Sequence, residues 1–466
     1  MFRTATNRRQ WLTRGIRALV GAGAATSLLP SLAACAAPSR RATGLALQPA
    51  LDATTGKPLL QLPEGFRYFS FAWAGESLSD GSTIPPSADG MGIVRTRGQR
   101  LTLIRNHELS SLTGTFAPAP APCYDPHCGG GTVRLDVDLA QEKLLSAEAA
   151  LTGTVLNCAG GATPWGSWLT CEEVVYLAQE EVPANLNLGA SGRGPLSHGY
   201  VFEVPAEGRA SAKPLVDMGL FRHEAVALDP RDGCVYLTED QYEMAGFYRF
   251  TPRVPGKLAE GGRLQMLAVK DRSEMRRDVP LGQALKTHWV DIDDPGRGRV
   301  DDSDKVGIGV VSQGLAAGGA RFTRLEGCAY ADGQIYFTST DGGSAKGGML
   351  YRFDPVAQEV ELLLEIAADQ RSDFDYPDNI TPSPAGGLVI CEDSKLRGPD
   401  HGQQLIWRAA DGRLVTIARN QVVHEGTDYS GAEWAGCCFS PDGQWLFANI
   451  YTPGFTVAIT GPWDKL

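Results

Sequence analysis

A thiol stands beside two carboxylates in "WLTCEEVV" (Trp168 to Val175), where Cys171, Glu172 and Glu173 close a stretch with the composition of a β-strand. Adjacent carboxylates repel one another, and half-buried they need a cation or a hydrogen-bond donor nearby. Other acids recur at a fixed distance. Glu224 and Glu239, Glu326 and Asp341, and Asp378 and Asp393 are each separated by 15 positions. That is the length of two short strands and a turn, so each pair is expected at one edge of a hairpin. Oxygen donors gathered in this way suit Ca²⁺, and a thiolate among them suits a transition metal, iron in particular. Arg324 lies two residues before Glu326 and alternates to the same side of its strand, where a guanidinium can balance carboxylates or grip a phosphate. His107 and His223 flank the set and read as structural histidines.

The elements that position these residues repeat along the chain. "HEAVALDPRDGCVYLTED", "LEGCAYADGQIYFTSTD", "PDNITPSPAGGLVICED" and "EWAGCCFSPDGQWLFANI" each run from an acidic opening through a short strand and a Gly-containing turn into a second strand. "DGMGIVRTRGQRLTLIRNHE" and "NCAGGATPWGSWLTCEE" are weaker copies, making six. Asp-Gly between apolar runs supplies the backbone angles of a tight antiparallel turn. Third strands are expected at Gly246–Phe250 and Gly348–Pro355. Six such units predict an all-β fold, a six-bladed β-propeller with inserted loops. In that fold the start of each first strand and the end of each second strand meet at one mouth of the central channel. The run "DIDDPGRGRVDDSDK" (Asp291 to Lys305) is expected to be a solvated face within an insertion, with a calcium loop as the lesser reading.

The N-terminus reads as a targeting segment. "NRRQWL" carries paired arginines and precedes a Gly/Ala-rich apolar run and "LAAC". Residues 1–34 are therefore expected to be a twin-arginine export signal, residues 35–60 a linker and residues 61–466 one propeller domain. Cys35 also fits a lipoprotein box, with ordinary cleavage around "ACAAP" as the alternative. Residues 1–34 hold five arginines and no acids, so the net charge of −11 falls to −16 without them. No basic block survives, and nucleic acid is excluded as an expected partner. Nine cysteines follow Cys35, an odd number, and Cys123 with Cys128 is the expected local disulfide.

Taken together, "LPEGFRYFSF", "DGMGIV", "IRNHELS", "WGSWLTCEE", "FRHEAVALDP", "RLEGCAY", "VICEDS" and "AGCCFSPDGQWLFANIYTPGFTVAITGPW" resemble the PhoX-type alkaline phosphatases from about Leu62 to Trp463. The resemblance implies an exported phosphatase holding Ca²⁺ and Fe³⁺ at one end of the channel. Phosphomonoesters would be hydrolysed by a metal-activated oxo or hydroxide. Carried onto this chain, it makes Cys171 the bridging thiolate and Glu172, Glu224 and Glu326 carboxylate ligands, with Arg324 holding phosphate. Arg222, in "FRHEA", is a second cationic contact. Glu108, Glu239, Asp240, Glu392 and Asp393 are calcium-ligand candidates. The implied partner is a small phosphate ester, with the membrane reached only through a lipid at Cys35 and the chain acting as a monomer. A calcium-dependent lactonase or esterase and a non-catalytic calcium-stabilised binding propeller are the alternatives.

Overall fold

Six times, a first strand of small and apolar residues is followed by a turn and a second, more uniformly apolar strand, and each time the pair becomes the inner half of an antiparallel sheet. The computed structural model describes residues 45–110, 114–178, 196–300, 306–395 and 402–466. The inner strands are Ala88–Arg97, Asn157–Ala162, His223–Leu228, Leu325–Ala331, Pro377–Pro382 and Trp434–Phe439. Each packs against the next and the last returns to the first, closing the ring of a six-bladed β-propeller. Blades one to six are numbered by these inner strands.

The expected third strands of blades three and four are present as Phe247–Pro252 and Met349–Asp354. Within the insertion after blade three, strand Ala284–Asp291 pairs with an outer strand of that blade and with Glu359–Glu365 of blade four, joining the two into one sheet. The acidic run expected there as a solvated face extends through residues 301–305, outside the described residues. So do the export signal and Cys35.

Residues 35–60 were expected as a linker, and the described part is built into the propeller instead. Leu47–Ala50 pairs with Leu60–Pro63, which pairs with the outer strand Leu414–Asn420 of blade five. Burial of Leu59, Leu60 and Leu62 explains the attachment, since apolar surface is removed from water there. Further on, Arg67–Phe71 pairs with Phe455–Thr460 and supplies the fourth strand of blade six.

The core is divided among the gaps between neighbouring blades. Blades two and three, for example, meet through Leu169, Val201, Phe221, Val226, Leu237 and Tyr248. Blades three and four meet through Phe247 and Phe337, stacked with ring centroids 4.2 Å apart. Each such buried aromatic contributes about 2–3 kcal/mol through area alone. Nearer the axis the residues become small so that inner strands can converge. A Cβ on Gly90 would stand 2.5 Å from Cα of Ala159, and one on Gly327 would stand 2.5 Å from the carbonyl oxygen of Asp378. The channel between them is a cavity of about 660 Å³ lined by these inner strands.

Candidate metal centre

Every inner strand is irregular near its start. In blades one to five the pairing register shifts between the first and fourth residues, and in blade six one residue later. Such bulges re-aim side chains. Here they deliver the second residue of the strand, Asp89, Cys158, Glu224, Glu326 or Asp378, to a common mouth. The sixth blade has Ala435 at that position and Glu433 just before the strand. The residue following the second strand adds Glu108, Glu173, Asp240 and Asp393 in blades one, two, three and five and Tyr451 in blade six, while in blade four it is Thr340, whose hydroxyl donates to Pro377 O at 2.8 Å.

These donors form three groups whose ligand atoms lie within 4.8 Å of one another: Glu108, Cys158 and Glu173; Glu224, Glu326 and Asp378; and Asp378, Asp393 and Glu433. Asp89 bridges toward the first group, its Oδ2 3.7 Å from Cys158 Sγ. Their backbones are held by the preceding blade. Asn106 donates to the carbonyl of Cys158 at 2.9 Å, Thr238 to that of Glu326 at 2.5 Å, Thr338 to that of Asp378 at 2.9 Å and Asn449 to that of Asp89 at 2.5 Å. A clasp of this kind fixes a ligand before any ion arrives, which lowers the entropy lost on binding.

Two cations share the mouth. Arg324 Nε lies 3.1 Å from Asp240 Oδ1 and its Nη2 lies 2.5 Å from Glu326 Oε1, while Arg222 Nη2 donates to Glu173. Arg324 adopts a left-handed backbone, φ 39°, a conformation that costs energy for a residue with a Cβ. Its side chain keeps 21% of its surface exposed.

Two guanidiniums do not balance this many acids. Burial pushes the carboxyls of Asp89, Glu224, Glu326 and Glu433 well above the usual range, and neighbouring carboxylates push them further. Burial is also the main reason that Glu108 and Asp378 rise to about 7 and Glu173 to about 8. Asp240 behaves differently. Burial disfavours its charge, yet Arg324 and Arg222 outweigh that and hold it below its ordinary value. The Cys158 thiol is raised by burial and then by Asp89 and Glu224. Both carboxylate oxygens of Glu224 are buried without a hydrogen-bond partner. Orphaned oxygens inside a clasped acidic ring fit divalent or trivalent cations, which would replace the lost hydration.

Of the residues expected at the site, Glu108, Arg222, Glu224, Asp240, Arg324, Glu326 and Asp393 are brought together at this mouth. Four are placed elsewhere. Cys171 is fully buried in the apolar gap between blades two and three, paired with Val201. Glu172 accepts hydrogen bonds from the backbone N–H groups of Val155 at 3.0 Å and Gly199 at 2.8 Å and from His198 Nδ1 at 2.6 Å. Glu239 accepts from Gly246 N at 2.9 Å and from the Tyr248 hydroxyl at 2.7 Å. Glu392 accepts from Gln404 N at 3.0 Å and Asp375 N at 3.2 Å. These carboxylates end their strands and turn inward to tie neighbouring segments together. His107 and His223 are also tied down, donating to Pro86 O at 2.8 Å and Gly219 O at 3.0 Å. The expected Cys123–Cys128 disulfide is not formed. Cys128 is buried with its Sγ 3.2 Å from the Tyr176 hydroxyl, whereas Cys123 is exposed.

Sequence reasoning did not assign Asp89, Cys158 or Glu433 to the site, and it gathered Glu173 and Asp378 at the mouth without naming them as ligands. The signal was present in the openings "ADG", "NCA", "HEA", "LEG" and "PDN", where the second position carries the donor.

Residues 46–127 and 128–454 match the family described as alkaline phosphatase PhoX. Among solved structures, that of Pseudomonas fluorescens PhoX in complex with vanadate, a transition state analogue, is similar at 18% identity with a TM-score of 0.64, covering 90% of this chain and 98% of that one. A gluconolactonase of Xanthomonas campestris is similar at 11% identity with a TM-score of 0.38, covering 92% of this chain and 99% of that one. No curated protein matches the chain.

Proposed function

The chain belongs to the PhoX family of alkaline phosphatases, which are metal-dependent, and from that membership we propose that the acidic mouth hydrolyses phosphomonoesters using Ca²⁺ and Fe³⁺. The observation that carries the reading is a clasped ring of buried carboxylates, with both oxygens of Glu224 unpartnered, beside two partly exposed guanidiniums. Cys158 and its carboxylate neighbours have the donor chemistry for iron, and the all-oxygen groups around Asp378 have that for calcium. When bound, the cations neutralise charge on the phosphoryl oxygens and acidify the attacking water.

The chain's own groups do the remaining work. Arg324 and Arg222 present planar N–H donors that bind and orient the phosphoryl oxygens. Asp240, held ionised between them, keeps both guanidiniums facing the mouth. Tyr451 donates to Glu108 and fixes the carboxyl at the rim of blade one. Backbone clasps hold the ligand residues against reorganisation, so charge building in the transition state meets preset partners.

Export by the twin-arginine route, with Cys35 as an anchor in the lipoprotein reading, would place the activity outside the cytoplasm, where the monomer meets small phosphate esters. The test is hydrolysis of an aryl phosphate at alkaline pH by the purified chain loaded with Ca²⁺ and iron, and again after chelation. Turnover that disappears on chelation is expected. A fully loaded protein without turnover would overturn the reading.

A further inference from the structure

Behind the mouth lies a second set of donors that shares no ligand with it. The loop "DPHC" joins the second and third strands of blade one and contributes Asp125 and Cys128, while His198 comes from the segment leading into the third strand of blade two. All three are buried, and their ligand atoms lie within 4.8 Å of one another.

The ring of His198 is held in place by its surroundings. Its Nδ1 donates to Glu172 Oε1 at 2.6 Å, which leaves Nε2 facing Cys128 Sγ at 3.6 Å and Asp125 Oδ2 at 3.7 Å. The latter distance is too long for an N–H···O hydrogen bond. Asp125 Oδ1 is occupied, accepting from the backbone N–H of His127 at 2.9 Å and its Nδ1 at 2.8 Å. Oδ2 is completely buried and has no hydrogen-bond partner. An unpartnered carboxylate oxygen, a thiol and an imidazole nitrogen thus face a common point. For zinc bonded at about 2.3 Å to sulfur and about 2.0–2.1 Å to nitrogen, the S···N edge of a tetrahedron is about 3.5 Å. The observed separation matches that edge. A carboxylate on the far nitrogen of the histidine is the outer partner that a metal-bound imidazole ordinarily has.

We propose that Asp125, Cys128 and His198 bind a single Zn²⁺-type cation, with the Tyr176 hydroxyl, 3.2 Å from Cys128 Sγ, beside the fourth position. The ion would cross-link the loop of blade one to blade two. It would also act through Glu172, which orients His198 and immediately precedes Glu173 of the mouth. In the described residues no disulfide performs that task, since all the cysteines are free.

The test uses the full chain with Cys158→Ser, which removes the thiol at the mouth, and titrates it with Co²⁺ alone while Ca²⁺ is held in excess. A thiolate-to-cobalt absorption band saturating at one equivalent, displaced by Zn²⁺, is the expected result. No band overturns the proposal. Adding Cys128→Ser or Asp125→Asn should abolish the band or weaken cobalt binding at least tenfold. An undiminished band in both folded variants overturns the assignment of these ligands.

Discussion

Glu172, Glu239 and Glu392 end second strands of three blades, and Glu173, Asp240 and Asp393 directly follow them, yet the two sets live in different physics. The first set faces inward and accepts backbone N–H groups from adjoining segments. The second set enters a ring in which acid faces acid, balanced in part by Arg222 and Arg324. A single step along the backbone therefore separates a carboxylate bonded to backbone N–H groups, with Glu239 Oε1 alone left unpartnered, from one that faces other acids. The lesson is that burial alone does not identify a candidate metal ligand; convergence with other carboxylates does.

Chelation is the harshest way to test that contrast. Removal of Ca²⁺ and iron should reduce aryl phosphate turnover to below about a thousandth of the loaded rate, with reloading restoring it. Turnover that survives complete chelation, checked by metal analysis, would detach the ring from the chemistry. Next comes a pair of thiols. Cys158→Ala should lose iron and about 10²–10³-fold in kcat. Cys171→Ala should keep its metals and lose only about 1–2 kcal/mol of stability, because it merely trims an apolar gap. The reverse outcome would return the catalytic thiol to Cys171.

A smaller effect is expected at the cationic side. Arg324→Ala should raise KM for the ester and lower kcat/KM by about 10–100-fold with metal content unchanged, the worth of a charge-assisted hydrogen-bond pair. Unaltered kinetics would reduce Arg324 to charge balancing. The smallest effects are in stability. Glu172→Gln should destabilise the chain by about 2–3 kcal/mol, since buried donors lose a charged acceptor. Glu173→Gln should do the opposite in the chelated protein. The Glu173 carboxyl rises from its ordinary 4.5 to about 8 on folding, chiefly through burial, so its contribution is present at low pH and lost as pH rises through 8. Denaturant melts of the chelated chain at pH 6 and pH 9 should show wild type weakening with pH and the Gln variant weakening less. Parallel losses would remove Glu173 from the repelling ring.

The six blades were legible because each hairpin announces itself with an apolar run, a Gly turn and a second run. The identity of the donors was only partly legible. A spacing of 15 correctly joins Asp378 to Asp393, where the strands are connected through residues 383–387. In blade three the connection runs through residues 229–234, one residue longer, and the partner of Glu224 becomes Asp240 in place of Glu239. Alternation failed at Cys171 for a related reason. Its strand ends regularly, so the thiol points into the gap between blades, whereas the irregular start of the preceding strand carries Cys158 to the mouth. Bulges leave little trace in a pattern of apolar residues. The N-terminal arm was missed because short strands such as Leu60–Pro63 gain their stability from a distant partner rather than from local periodicity.

The pairing of Arg67–Phe71 with Phe455–Thr460 has a consequence for how the molecule comes into being. During synthesis the early blades can pair their own strands, but Asp89 waits for the clasp from Asn449, and the mouth remains an open arc until the last hairpin has emerged. Metal capture is thereby postponed to the final moments of assembly. A chain cut short before Glu433 would carry the donors of the first five blades and still lack the hairpin that closes the ring.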